Sequence, residues 1–260
     1  MPVQSVHRAI DILSLFSISR PRLGVTEISE LLGLSKPTVH GLVRTLAERG
    51  FLQQDVETRK YMLGLKIYEL GAILSGTLKI NQIGAGTVHK LAKDTRCTAR
   101  IAIRDQDSVL VTLTLYPHLQ QVIFQPLGPR IPMYCSSIGK AILSALPEKE
   151  LSAYLDRTAL SSFTPHTVID KGRLREELKT ARELGYAVDR QEYLIGLACV
   201  GAPVFDALGN PFASVSLSGP PERFIASKIK DFGKKAMRTT AEISRLLGFM
   251  PSPDRARPSF

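Results

Sequence analysis

The chain has 260 residues, enough for two domains, and its 44% hydrophobic and 22% charged residues describe a globular protein rather than a disordered one. No apolar run approaches the ~18 residues of a membrane span, and "MPVQSVHRAI" lacks the apolar core of a secretory signal, so no membrane contact and a cytoplasmic location are expected. The net charge of +10 is uneven: residues 1–64 hold eight Lys/Arg against six Asp/Glu, and residues 228–257 hold eight against three. Bulk charge therefore does not mark a binding site, and the placement of individual charges has to.

In chain order, Ser5 is expected to cap a first helix with Val6, Ala9, Ile10, Leu13 and Phe16 at helical spacing, broken by "SRPRLG". Thr26 is expected to cap a second, short helix with Ile28, Leu31 and Leu32 inward and Gly33 at its end. Ser35 then caps a third, in which Pro37 is tolerated because first-turn amides lack intrahelical partners. Along "LSKPTVHGLVRTLAERGFL", Val39, Leu42, Val43 and Leu46 form one stripe and Lys36, His40 and Arg44 the opposite one. Gly50 closes this helix, and "FLQQDVETRKYMLG" reads as two strands around a polar turn.

Two helices around a turn, followed by a hairpin, predict a winged helix-turn-helix whose third helix enters the major groove of double-stranded DNA. Lys36, Thr38, His40 and Arg44 would face bases or phosphates, with Ser35 at the helix start and Arg59 and Lys60 from the hairpin. A three-helix module docking on another protein would also show a polar outer face. The agreement of cap, turn, period and wing favours DNA.

Further on, "LGLKIYELGAILSG" places Leu63, Ile67, Leu70 and Leu74 on one face, with Leu65 and Ile73 broadening it, so this helix must be covered by a second domain or a second copy. Helices are expected at 80–94, in "SSIGKAILSAL", in "DKGRLREELKTARELG" and from "PPERF" to the end of "SRLLG"; "TARIAIRDQDSVLVTLTLYP" and "ACVGAPVFDALGNPFASVSLSG" read as strand pairs. Antiparallel strands with helices gathered around them make an α+β domain. In "FASVSLS", Ser214, Ser216 and Ser218 share one face, and Cys199 and Gly201 share a face of the partner strand. A solvent face usually carries lysine or glutamate; small hydroxyls and a thiol suit a pocket for a small polar ligand, with the "SSIG" helix start adding free amides for an anion.

Three blocks, "SVHRAIDILSLF", "GVTEISELLGLSKPTVHGLVRTLAERGFL" and "YMLGLKIYELG", resemble the IclR family of bacterial transcription regulators, and the resemblance continues in "SSIGKAILSALP" and "ELGYAVDRQEYLIGLACVGAPVFDALGNPFASVSLSGP". It spans residues 4–248. It implies a winged helix-turn-helix at 1–64, a linker helix at 65–78, a GAF-like effector-binding domain at 79–248 and a loose tail at 249–260. It also implies a homodimer or dimer of dimers acting as repressor or activator. Ser5, Arg8, Thr26 and Gly41 join the DNA-side residues; where the family commonly has arginine, this chain has Gly41, which predicts a different operator.

The small-carboxylate sites of that family fall here on Ile131, Ser137, Ile138, Asp189, Cys199, Ser216 and Ser218, with Met133 and Tyr134 near enough to set ligand size. Asp189, beside an anion, would accept a hydroxyl proton or fix neighbouring amides. Cys97, Cys135 and Cys199 are too scattered for a disulfide framework or a short-spaced zinc site, and no local motif joins a cysteine to His166 as nucleophile and base. No cofactor, metal or catalytic residue is expected. The rival readings are a cysteine-dependent enzyme and an architectural DNA-binding dimer without an effector.

Overall fold

The computed structural model describes residues 2–117 and 130–250; "PSPDRARPSF" lies outside them. The chain divides into two compact units, Met1–Thr77 and Leu78–Phe260.

The first unit carries α1 (Gln4–Ser14), α2 (Val25–Leu32), α3 (Lys36–Glu48), β1 (Leu52–Gln54), β2 (Tyr61–Leu63) and α4 (Leu65–Thr77). Ile12, Leu23, Ile28, Val39, Val43, Leu52 and Tyr61 form its core. Two expected caps are displaced. Val3 rather than Ser5 flanks α1, and Ser5 lies inside the helix. Gly24 rather than Thr26 precedes α2, because Glu27 reaches back to accept a hydrogen bond from the Gly24 N–H at 2.7 Å. Ser35 does cap α3, accepting from the Thr38 amide at 3.4 Å, and Gly33 ends α2 in the left-handed region (φ 64°) that glycine adopts without strain. The inward faces of α1 and α2 also differ from expectation: Val6, Ile10 and Leu31 are exposed, and α1 buries Ile12 instead. Periodicity leaves more than one apolar stripe on such helices, and the packing of α3 selects which is covered.

The hairpin pairs Leu52 with Leu63 and Gln54 with Tyr61. Asp55 holds its turn by accepting from the Glu57 and Thr58 amides, and Leu23 and Tyr61 exchange backbone hydrogen bonds of 2.9 and 2.8 Å that tie the wing to the helices.

The second unit contains α5 (Lys79–Thr95), β3 (Thr98–Asp105), β4 (Ser108–Leu115), β5 (Arg130–Pro132), α6 (Ser137–Ala145), α7 (Glu148–Arg157), α8 (Lys171–Leu184), β6 (Ala187–Arg190), β7 (Ala198–Phe205), β8 (Pro211–Gly219) and α9 (Ala226–Leu246). Its strands form one antiparallel sheet in the order β5-β4-β3-β8-β7-β6. Ala213, Val215 and Leu217 of β8 face a core shared with Val88 of α5 and Phe232, Ala236 and Ile243 of α9. A second core lies against α6, α7 and α8 and contains Ile138, Ile142, Tyr154, Leu174 and Leu178. Three elements lacked a signal strong enough to read from sequence: β5, α7 and β6. The closing helix begins at Ala226, after a 3-10 turn at Pro221–Arg223 that the two prolines impose.

Candidate functional site

Each unit gathers its own set of polar residues. In the first, α3 turns Val39 and Val43 fully inward while Lys36, His40, Gly41 and Arg44 are exposed. The Thr38 hydroxyl lies 2.8 Å from that of Ser35, fixing the first turn. Arg44 is held along the helix by Glu48 at 3.0 Å, and Lys60 reaches Glu27 on α2 at 3.1 Å. The Gly24 amide and the Lys60 ammonium hold the Glu27 carboxyl below its ordinary value, so it stays ionised. Thr26, His40, Arg59 and Lys60 line one concavity of about 410 Å³ between the start of α2 and the hairpin. Arg59 sits in the left-handed region (φ 56°) at the wing tip, and its carbonyl accepts from Gln54. Ser5 and Arg8 lie on the first turns of α1 and do not line this concavity.

In the second unit, the serine face of β8 is no solvent face: α6 covers it. The register places Asp189, Cys199 and Ser218 opposite one another on β6, β7 and β8, and Gly201 opposite Ser216 in the next row. A Cβ on Gly201 would stand 2.7 Å from the Ser137 carbonyl oxygen, so glycine is what lets the start of α6 rest directly on the sheet. Ser136 caps that start by accepting from the Gly139 amide at 3.2 Å. The three serines differ. Ser214 donates to the Ile138 carbonyl at 2.6 Å, locking helix to sheet. Ser216 is 3% exposed and stands opposite Gly201, where the start of α6 meets the sheet. Ser218 and Ser137 lie against the Cys199 thiol, which burial and Asp189 push up and the two hydroxyls pull back.

Ile131, Met133 and Ile138 are buried together beside this face. The hydroxyl of Tyr134 is taken up elsewhere, donating to the Ser161 carbonyl and accepting from the Ser161 amide. Burial pushes the Asp189 carboxyl up to about 7, against the pull of the Glu192 amide that it accepts at 2.7 Å. That amide belongs to a buried cluster: Lys140 of α6, 2% exposed, donates to both oxygens of Glu192 at 2.6 and 2.7 Å and to Glu177 at 2.8 Å. Burial draws the Lys140 ammonium down, but Glu192 and Glu177 outweigh it and keep it protonated. Thr164 and Thr167 donate to backbone carbonyls of Gln191 and Glu192, so the segment after β6 is clamped from two sides.

Three participants were missed from sequence: the Lys140–Glu192 pair, the bond made by Ser214, and Arg100, which stands opposite Ser216 on β3 and is buried. The alternation in "TARIAIR" places Arg100 on the serine side only once β3 is known to pair with β8, and no local pattern encodes that pairing. The cysteine thiols are buried and raised, burial being the main cause for each, and no hydrogen bond joins any of them to His166 among the described residues. Among the same residues no group of His, Cys, Asp or Glu is arranged to hold a metal ion, and no helix is long and apolar enough to cross a membrane.

Comparison with known proteins gives this arrangement a context. Residues 5–56 match the IclR helix-turn-helix domain, and residues 74–245 match the bacterial transcriptional regulator IclR C-terminal domain. The chain belongs to the IclR family of bacterial transcriptional regulators. It is 34% identical over 250 residues to the HTH-type transcriptional regulator XynR of Escherichia coli K12, covering 96% of this chain and 99% of that one. The crystal structure of the Thermotoga maritima IclR aligns at TM-score 0.73 and 31% identity, over 94% of this chain and 99% of the other. A structure of an IclR homolog from Microbacterium hydrocarbonoxydans, complexed with 4-hydroxybenzoate, shares the fold at TM-score 0.77 and 20% identity, over 94% and 99% of the two chains. Membership in the IclR family assigns DNA binding to the helix-turn-helix and small-molecule binding to the C-terminal domain.

Proposed function

We propose that this regulator reads an operator with α3 and the wing, and that a small carboxylate bound under α6 modulates the reading. Lys36 and Arg44 contact phosphate or guanine, Thr38 and His40 reach bases or backbone, and Ser35 and Thr26 set helix starts against phosphates. Arg59 and Lys60 flank them from the hairpin. Residues 65–77 form the linker and the seam of a homodimer, since two recognition helices double the length read on a near-palindromic site.

The observation that carries the effector reading is the placing of Ser216: a hydroxyl on a buried strand face, opposite Gly201, where the start of α6 rests directly on the sheet. Amides of the first turn of α6 and the Ser216 and Ser218 hydroxyls would receive the carboxylate, while Ile131, Met133 and Ile138 cover its apolar side. Asp189, two strands from Ser218 in the same row, accepts a hydrogen bond from a hydroxyl of the ligand or fixes the neighbouring Glu192 amide. The 4-hydroxybenzoate of the Microbacterium homolog is a molecule of this class.

The deciding experiment combines a footprint on the DNA flanking the gene with calorimetry of candidate carboxylates on Ser216→Ala and Ser218→Ala. Loss of one hydroxyl should cost about 1.5–3 kcal/mol of effector affinity, with DNA affinity in the absence of effector unchanged. Wild-type effector affinity in both variants would place the pocket elsewhere. An absent footprint would remove the operator reading.

A further inference from the structure

Charge is divided unevenly between the two helical layers of the second unit. Residues 136–185, which hold α6, α7 and α8, carry eight Lys/Arg against seven Asp/Glu. The other layer, α5 with the Arg96 that ends it and α9, carries ten against three. On the first layer acids meet cations: Glu148 pairs with Arg175, Glu150 with Arg104 and Asp107 with Arg157. On the second, both acids of α9 are taken up close by, Asp231 by Lys235 at 2.9 Å and Glu242 by the Thr87 hydroxyl at 3.4 Å. Lys90, Lys93, Lys230, Lys234, Arg238 and Arg245 are all exposed, and none forms a salt bridge among the described residues.

These cations share one surface because α5 and α9 lie against each other: a Cβ on Gly84 would stand 3.3 Å from the Ile243 side chain. The apolar faces of both helices are used up in the core, where Val88 and Leu91 meet Phe232, Ala236 and Ile243. What remains outward is polar. On α9, Lys230, Lys234 and Arg238 recur every four residues, which puts one cation on each turn, ~6 Å from the next. Like charges at that spacing destabilise a helix, and an acid such as Asp231 beside Lys235 is what relieves them. The row lacks that relief. It is about 12 Å long, and duplex DNA offers about seven phosphates over such a length.

We propose that the outward face of α5 and α9 is a second DNA contact, one that grips the phosphates of any sequence. Duplex DNA is the polyanion that membership of the family already brings to this molecule. A lipid surface fits less well. A helix that lies on a membrane inserts an apolar face, and that of α9 is spent in the core, with exposed large apolar residues only at its ends, Ile225 and Leu246. The inference goes beyond the operator reading: α3 supplies the preference for a sequence, and this face adds affinity that is the same on every sequence.

The test is fluorescence anisotropy of the full chain on a duplex of arbitrary sequence, about four helical turns long, across a salt series. The triple variant Lys230→Gln/Lys234→Gln/Arg238→Gln is compared with Lys149→Gln/Arg173→Gln/Lys179→Gln, which removes three exposed cations from α7 and α8 and so changes the net charge equally. The α9 variant should bind roughly tenfold or more weakly at low salt, with a salt slope lower by about two to three units, and the control should change the slope by less than about one. Each single substitution on α9 should account for about one unit, so the singles decide if the triple does not fold. On a footprinted operator the α9 variant should lose the same factor, leaving the preference for operator over arbitrary sequence unchanged. A slope lowered no further than in the control would overturn the proposal, and so would a loss confined to the operator. Sedimentation with phosphatidylserine–phosphatidylcholine vesicles tests the other polyanion: co-sedimentation that the α9 variant alone loses, with its DNA slope unchanged, would assign the face to a lipid surface and overturn the DNA contact. None of these outcomes depends on α3, whose own variants are read by their loss of sequence preference.

Discussion

Gly41 stands on the exposed side of α3, and nothing lies within 4 Å of where its Cβ would be. Neither crowding nor a positive φ within this chain requires glycine there, although glycine costs a helix about 1 kcal/mol against alanine. Gly41→Ala should therefore raise the stability of the free protein by roughly 0.5–1 kcal/mol and, if DNA passes close to the helix backbone, weaken operator binding. Chemical denaturation beside a gel shift separates the two effects; gains in both would remove the close approach. Asp189 gives a residue-scale prediction in pH. Its carboxyl, near 7 when folded, has a pKa of about 3.9 in an unfolded chain. Between those values the folded state holds a proton that the unfolded state has released, so stability falls as pH rises from about 4 to about 7 and then levels. Around it Lys140 stays charged and lowers it, the Cys135 and Cys199 thiols stay neutral, and the Glu192 carboxylate raises it. Asp189→Asn should thus raise Tm relative to wild type by a few degrees more at pH 8 than at pH 5. An anionic effector should bind wild type less tightly as pH climbs through 7, by at most about tenfold per unit, and the variant should lose that slope.

Among the elements, α3 is the one whose role depends on a single exposed face. Lys36→Ala or Arg44→Ala should weaken operator binding by about 1–3 kcal/mol where the contact is a two-pronged base contact, and less where it is to phosphate alone. Each lost phosphate contact should also flatten the salt dependence by about one unit of slope; unchanged affinity and slope in both would dismiss α3 as the reader. This helix was legible in the sequence because its cap, its proline and its period are all local. The same holds for α8 between Asp170 and Gly185 and for the β7–β8 pair. What could not be read was decided at a distance. Glu27, three residues inside α2, moved that helix's start from Thr26 to Gly24, and the packing of α1 buried Ile12 where Val6 and Ile10 looked equally suited. Strand β5 has only three residues, too few for alternation to register, and the burial of Arg100 follows from a pairing between strands more than a hundred positions apart. The serine face was visible as a pattern. That Ser214 is spent on the Ile138 carbonyl was visible only in three dimensions.

For the whole molecule, an effector can shift DNA affinity only by as much as it prefers one arrangement of the protein over another, typically 1–3 kcal/mol. By reciprocity, saturating operator DNA should change effector affinity by the same factor, which calorimetry with and without operator checks. The apolar helix α4 bears on this directly: none of its residues is buried, and Leu65 and Tyr68 are 82% and 78% exposed. Replacing Leu70 and Leu74 together with glutamate should split or destabilise the assembly, because charges would enter an apolar seam; unchanged mass by light scattering would dismiss α4 as that seam. Were a second copy to cover this helix, regulation would be tied to dose. Below the concentration at which two chains pair, halving the number of molecules in a cell quarters the number of complete readers. Operator occupancy then becomes a steep function of how much of the protein is made, and a cell could silence this regulator by diluting it through growth, with no ligand at all.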